Sequence, residues 1–84
     1  MSYEVVEKKY SNDLVSIHLT DRDWFVVTTE VDANMAGARF FQTFVLAMNY
    51  ADALTHHLKG HELTADQAST YAGETIDEVN LEQA

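Results

Sequence analysis

The spacing of apolar residues changes once along this chain, and that change constrains the fold more than any other feature. Up to residue 42, β-branched and aromatic residues occur in short runs separated by polar turns, which is typical of strands. From Thr43 onward, apolar residues recur every three or four positions, which is typical of a helix. This order predicts a single α+β domain in which an antiparallel sheet is followed by helices.

Three runs are predicted to form the strands of an antiparallel meander, namely 3–10, 14–20 and 24–31. Polar turns at 11–13 and 21–23 separate them and favour hairpins between successive strands. The middle run alternates most cleanly, so Val15, Ile17 and Leu19 are expected to be buried and the intervening polar residues exposed. The third run carries apolar residues on both faces, which indicates that its second face is partly covered.

Residues 33–42 allow two interpretations. They form a short fourth strand at 38–42, after which Thr43 caps a helix, or they belong to one long helix that begins at Asp32. We prefer the strand, because Asn34 and Gly37 weaken a helix interior and the paired phenylalanines suit a pleated surface.

The main helix is predicted at 43–59 and packs across one face of the sheet. Its packing stripe is expected to consist of Phe44, Ala47, Ala51, Leu54 and Leu58. Leu46 and Tyr50 are expected on another, outer side, and Gly60 ends the helix.

A short second helix is predicted at 65–72, with Thr64 and Gln67 as a capping box and Gly73 as its end. The whole chain, 1–84, is therefore interpreted as one domain. It consists of a sheet (3–42), the main helix (43–59), and a short helix with an acidic tail (64–84).

Charge is the strongest compositional feature. Fourteen Asp and Glu residues face five Lys and Arg, a net charge of -9, and no Lys or Arg follows Lys59. Such a chain is repelled by nucleic acid and by anionic membranes, and it is attracted to basic protein surfaces. The absence of cysteine and of a long apolar run fits a protein of the cytoplasm.

Three of the four histidines, His56, His57 and His61, lie near the end of the main helix. A metal-dependent or acid–base site there is one hypothesis, but Gly60 interrupts the helical spacing and Lys59 repels a cation. Histidines in a last helical turn also complement the negative end of the helix dipole, and this structural role is preferred. We therefore expect no metal and no cofactor. We also expect no catalytic residue, since no nucleophile motif is present.

The residues expected to contact a partner are acids, with aromatic anchors between them. They are Asp21, Asp23, Trp24, Tyr50, Glu74, Asp77, Glu78 and Glu82. Carboxylates on a rigid domain can take the place of phosphates and pair with Arg and Lys of a partner. Large aromatic residues supply binding energy.

The strand-to-helix passage "GARFFQTFVLAMNYADALTHHL" (37–58), in a frame of short hairpins, resembles the layout of small acidic phage-encoded inhibitors of the anti-CRISPR type. The resemblance implies a non-catalytic protein that blocks a nucleic-acid-processing complex by covering a basic surface in the host cytoplasm. The alternatives are a self-associating structural protein, such as a homodimer, and the histidine site described above.

Overall fold

The computed structural model describes residues 4–29 and 39–73, and within them the chain forms an α+β fold, as predicted. The strands are β1 (Val5–Ser11), β2 (Val15–Thr20), β3 (Phe25–Thr29) and β4 (Arg39–Phe41), and the helices are α1 (Phe44–Leu58) and α2 (Ala65–Ala72). The strands lie in the order β1-β2-β3-β4, each antiparallel to its neighbour, so the meander is confirmed.

The turn between β1 and β2 is organised by the side chain of Asn12. Its Oδ1 accepts hydrogen bonds from the backbone N–H groups of Leu14 and Val15, at 2.7 and 2.8 Å. Its Nδ2 donates to the hydroxyls of Tyr10 (3.1 Å) and Thr55 (3.2 Å). One amide therefore closes the hairpin and joins it to α1.

The main core lies between α1 and the sheet. Val15, Ile17, Val27 and Phe41 come from one face of the sheet, and the buried helix residues are Ala47, Tyr50, Ala51, Ala53 and Leu54. The short strand β4 contributes Phe41, which is completely buried. The prediction of a fourth strand is thus confirmed at Arg39–Phe41, while residues 33–38 lie outside the described part of the chain.

The buried face of α1 is rotated from the predicted stripe. Phe44 and Leu58, at the two ends of that stripe, are each 37% exposed, whereas Tyr50 is only 4% exposed. The expectation that Tyr50 lies on an outer side is therefore wrong. The reason is α2, because its Tyr71 stacks on Tyr50 and on His57 and covers that flank of α1.

The face of the sheet opposite α1 carries a second apolar cluster of Val26 and Phe40, with Trp24 packed against it. Val26 is 1% exposed, so the prediction that the second face is partly covered is confirmed. Ser16 and Thr20, which alternation predicted to be exposed, are buried on this same face.

Helix α2 has the predicted bounds, and α1 begins one residue after and ends one residue before the predicted 43–59. Thr43 caps α1 by accepting a hydrogen bond from the N–H of Leu46 at 3.3 Å. Thr64 and Gln67 form the predicted capping box of α2, with both bonds at 3.1 Å. Gly73, with a φ of 87°, follows α2 in the left-handed conformation that glycine adopts without strain.

In residues 4–29 and 39–73, neither helix has the length and apolar character needed to cross a membrane.

Candidate protein-binding surface

The turn between β2 and β3 is held by Thr20, a buried residue at its start. The Thr20 hydroxyl accepts hydrogen bonds from the N–H groups of Arg22 (3.3 Å) and Trp24 (3.2 Å). Its carbonyl accepts from the N–H of Asp23 at 3.1 Å, and its own N–H donates to the carbonyl of Trp24 at 2.9 Å. The backbone that carries the acidic side chains is therefore fixed by a buried residue.

Two exposed acids stand on this turn. Asp23 has a φ of 62°, in the left-handed region that Asp and Asn tolerate better than most residues. Asp21 is tied to the start of the sheet, because its Oδ1 accepts from the N–H of Glu4 at 3.0 Å and its own N–H donates to the carbonyl of Glu4 at 2.9 Å. Both carboxylates, and that of Glu4 beside them, lie at the surface.

The one cation within this turn, Arg22, is placed against an aromatic ring. Its guanidinium lies over Trp24, 5.6 Å from the ring centroid. Trp24 also meets Phe40 edge to face, with a centroid separation of 6.1 Å, and is only half-buried. The indole thus joins the acidic turn to the second apolar cluster and keeps part of its surface available.

The charged residues of neighbouring β1 are also exposed. Glu7 forms an ion pair with Lys9 at 2.9 Å, and their side chains are 58% and 35% exposed. Exposed pairs of this kind contribute little to stability. Their consequence here is electrostatic, since Lys9 is already paired and the three acids Glu4, Asp21 and Asp23 outnumber Arg22, the one cation of the turn.

The structure brings together three of the predicted interface residues: Asp21, Asp23 and Trp24. Tyr50 lies elsewhere, inside the core between Phe41 and Tyr71, and cannot serve as an exposed anchor. The predicted tail residues Glu74, Asp77, Glu78 and Glu82 lie outside the described residues.

Sequence reasoning missed Glu4 as a member of this surface. Its place beside Asp21 follows from the pairing of β1 with β2, in which Val5 is opposite Thr20 and an irregularity follows at Val6. The alternation of residue types predicts a strand at β1 but does not predict this register.

The histidines form the end of α1. The N–H of Gly60 donates to the carbonyl of His57 (3.0 Å), and that of His61 donates to the carbonyl of His56 (2.9 Å), the two bonds of a Schellman motif. The rings of His56 and His61 meet edge to face at 5.9 Å, while His57 stacks on Tyr71. Across the described ranges, no three His, Cys, Asp or Glu residues are arranged to hold a metal ion.

Comparison of the chain with protein-family models, with curated proteins and with solved structures gave no match.

Proposed function

We propose that this chain is a non-catalytic protein-binding module that docks its β2–β3 turn on a basic surface of a larger protein. The observation that carries the proposal is the pair of exposed carboxylates, Asp21 and Asp23, on a turn whose backbone is hydrogen-bonded to buried Thr20. Side chains on a fixed backbone lose less conformational entropy when they bind than side chains on a mobile loop.

The chemistry of such a turn suits arginine and lysine. Carboxylates form short, charge-assisted hydrogen bonds with guanidinium and ammonium groups. The net charge of -9 draws a basic partner toward the whole molecule and raises the association rate at low salt. Trp24, next to the acids, offers a large aromatic surface of the kind that often dominates binding energy.

The partner class that fits this chemistry is a nucleic-acid-processing complex, whose basic channel normally holds phosphates. In this proposal the chain is an inhibitor of the anti-CRISPR type that covers such a channel in the host cytoplasm. Its acidic turn takes the place of phosphate groups, and it does not contact nucleic acid itself.

The test is affinity capture from the native host with two charge-matched variants. Asp21→Asn with Asp23→Asn removes two charges at the turn and keeps a side-chain oxygen for the N–H of Glu4. Asp13→Asn with Glu62→Gln removes two charges outside the turn, at other exposed positions. Each double variant changes the net charge from -9 to -7, because two of the fourteen acids are neutralised.

We expect the unchanged chain and the Asp13/Glu62 variant to retain the same partner and the Asp21/Asp23 variant to lose it. Binding should also weaken as salt is raised, because exposed charges are screened over about 10 Å at 0.1 M salt. Equal loss in the two variants would contradict docking through the turn, since net charge alone would then explain binding.

A further inference from the structure

Helix α1 leaves part of the sheet uncovered close to the acidic turn. Within the described residues the backbone of α1 lies close to β2, β3 and β4 but not to the edge strand β1. At the start of the helix this leaves a hollow of about 440 Å³ lined by Lys9, Phe25 and Phe44. Its volume lies within the range of small binding pockets and accommodates one large aliphatic side chain.

Exposed apolar residues concentrate at the same end of the molecule. In the described part of the chain the exposed large apolar side chains are Val5, Val6, Phe44, Val45 and Leu58. All but Leu58 lie at the end where β1 and α1 begin. Phe44 meets Phe25 edge to face at 5.8 Å, and Phe25 directly follows Trp24 of the turn. An apolar area of this kind beside polar residues is typical of an interface.

The charges around the hollow are predominantly acidic. Lys9 lines the hollow but is paired with Glu7, and at the same end of the sheet three exposed acids, Glu4, Asp21 and Asp23, outnumber the one exposed cation of the turn, Arg22. An apolar centre with an acidic rim complements an apolar side chain flanked by basic ones. A second copy of this chain fits poorly, because it would bring another charge of -9 against the same rim.

We propose that this hollow is the apolar half of the docking surface and that it receives an aliphatic side chain from a basic segment of the partner protein. The inference rests on the proposed function, since Arg or Lys on either side of that aliphatic residue would pair with the carboxylates of the turn. It extends the surface around the sheet edge, from the turn to the start of α1.

Two synthetic peptides test this proposal by nuclear magnetic resonance titration of the full chain. One contains two adjacent leucines flanked by arginines, and the other has alanines in place of the leucines. We expect the leucine peptide to bind at least about tenfold more tightly, since burying one such side chain is worth about 1.5–3 kcal/mol and 1.4 kcal/mol is a tenfold change. The chemical-shift changes that only the leucine peptide causes should map to Phe25, Phe44 and Val45.

Two variants of one helix provide the matched control. Phe44→Ala removes a wall of the hollow, and Leu58→Ala removes an equally exposed apolar residue at the other end of α1. Phe44→Ala should abolish the advantage of leucine over alanine, and Leu58→Ala should preserve it. The two peptides are also compared on the unchanged chain. That comparison tests the proposal even if Phe44→Ala fails to fold.

The outcomes separate the two proposals. If both peptides bind at the turn with equal affinity, the proposal for the hollow is overturned and the proposal of acidic docking is not affected. Leucine-dependent binding at the hollow that does not change with salt supports the hollow and contradicts acidic docking. Absence of binding by both peptides, or self-association of the chain through Phe44 and Val45, overturns the inference.

Discussion

A single amide, Asn12, holds three parts of this small protein together. It accepts two backbone hydrogen bonds in the β1–β2 turn and donates to the hydroxyls of Tyr10 and Thr55. Thr55 in turn donates to the carbonyl of Ala51 at 2.7 Å, one turn back in α1. The turn, the sheet and the helix therefore depend on a residue whose sequence context indicates only turn formation.

Replacing Asn12 with alanine should lower the free energy of unfolding by about 2 kcal/mol, because partly buried groups lose their hydrogen-bond partners. Asn12→Asp should cost less, because its oxygens still accept from Leu14 and Val15 while the two donor bonds are lost. Urea unfolding would measure both. Asn49→Ala, at an exposed helix position, is the control and should be nearly neutral. If the two Asn12 variants lost the same free energy of unfolding, the whole contribution of the side chain would come from its hydrogen bonds to Tyr10 and Thr55.

At the scale of elements, α2 packs along α1 from the surface of the molecule. None of its residues is buried. Gln67 accepts from the N–H of Thr64 in the capping box and donates to the carboxylate of Asp52 at 3.0 Å. One turn later, Tyr71 stacks on Tyr50 and His57. The helix is thus formed by local capping, and Gln67 and Tyr71 are among the side chains that attach it to α1.

Gln67→Ala should therefore loosen α2 without unfolding the sheet. Amide hydrogen exchange in α2 should accelerate about five- to tenfold, as expected for the loss of about 1 kcal/mol, while exchange in β2 stays the same. Asp52→Asn keeps an acceptor for Gln67 and should leave exchange in α2 nearly unchanged. Parallel acceleration in α2 and β2 would show instead that the two elements unfold together.

The same elements show what could be predicted from the sequence. Caps at Thr43 and Thr64 and the stop at Gly60 depend on residues next to each other in the chain, and their positions are confirmed. The rotation of α1 depends on where α2 packs, so the burial of Tyr50 could not be inferred from the apolar stripe. In the candidate site, the turn was predictable from its residue types. The contact of the turn with Glu4 could not be predicted without the register of the sheet. The hollow at Phe44 could not be predicted without the position of α1 on the sheet.

At the scale of the whole molecule, the excess of acidic residues destabilises the compact folded state, because like charges repel one another. The longest extent is 34 Å, and charges interact over about 30 Å at 0.01 M salt but only about 10 Å at 0.1 M. Self-repulsion therefore spans the folded chain at low salt. Two pairs of side chains in the described residues, Lys9 with Glu7 and, when the imidazole is protonated, His56 with Asp52, attract each other at exposed positions and offset little of this repulsion.

The melting temperature should consequently rise with sodium chloride, by about 3–6 °C between 0.01 and 0.5 M, which corresponds to about 0.5–1 kcal/mol for a domain of this size. The Asp13/Glu62 double variant carries a smaller charge and should show a smaller rise in the same calorimetric measurement. A melting temperature that falls with salt would contradict the dominance of repulsion and would indicate that attractive pairs stabilise the fold.

The setting of Trp24 has a practical consequence for measurement. It is the only tryptophan of the chain, it lies under the guanidinium of Arg22, and it stands beside the acids of the turn. Indole fluorescence responds to nearby charge and to the polarity around the ring, so tryptophan emission from this protein reports on the turn and on the apolar cluster beneath it. A partner that draws Arg22 away from the ring or covers the indole should change the emission spectrum, and binding can then be followed without an attached dye.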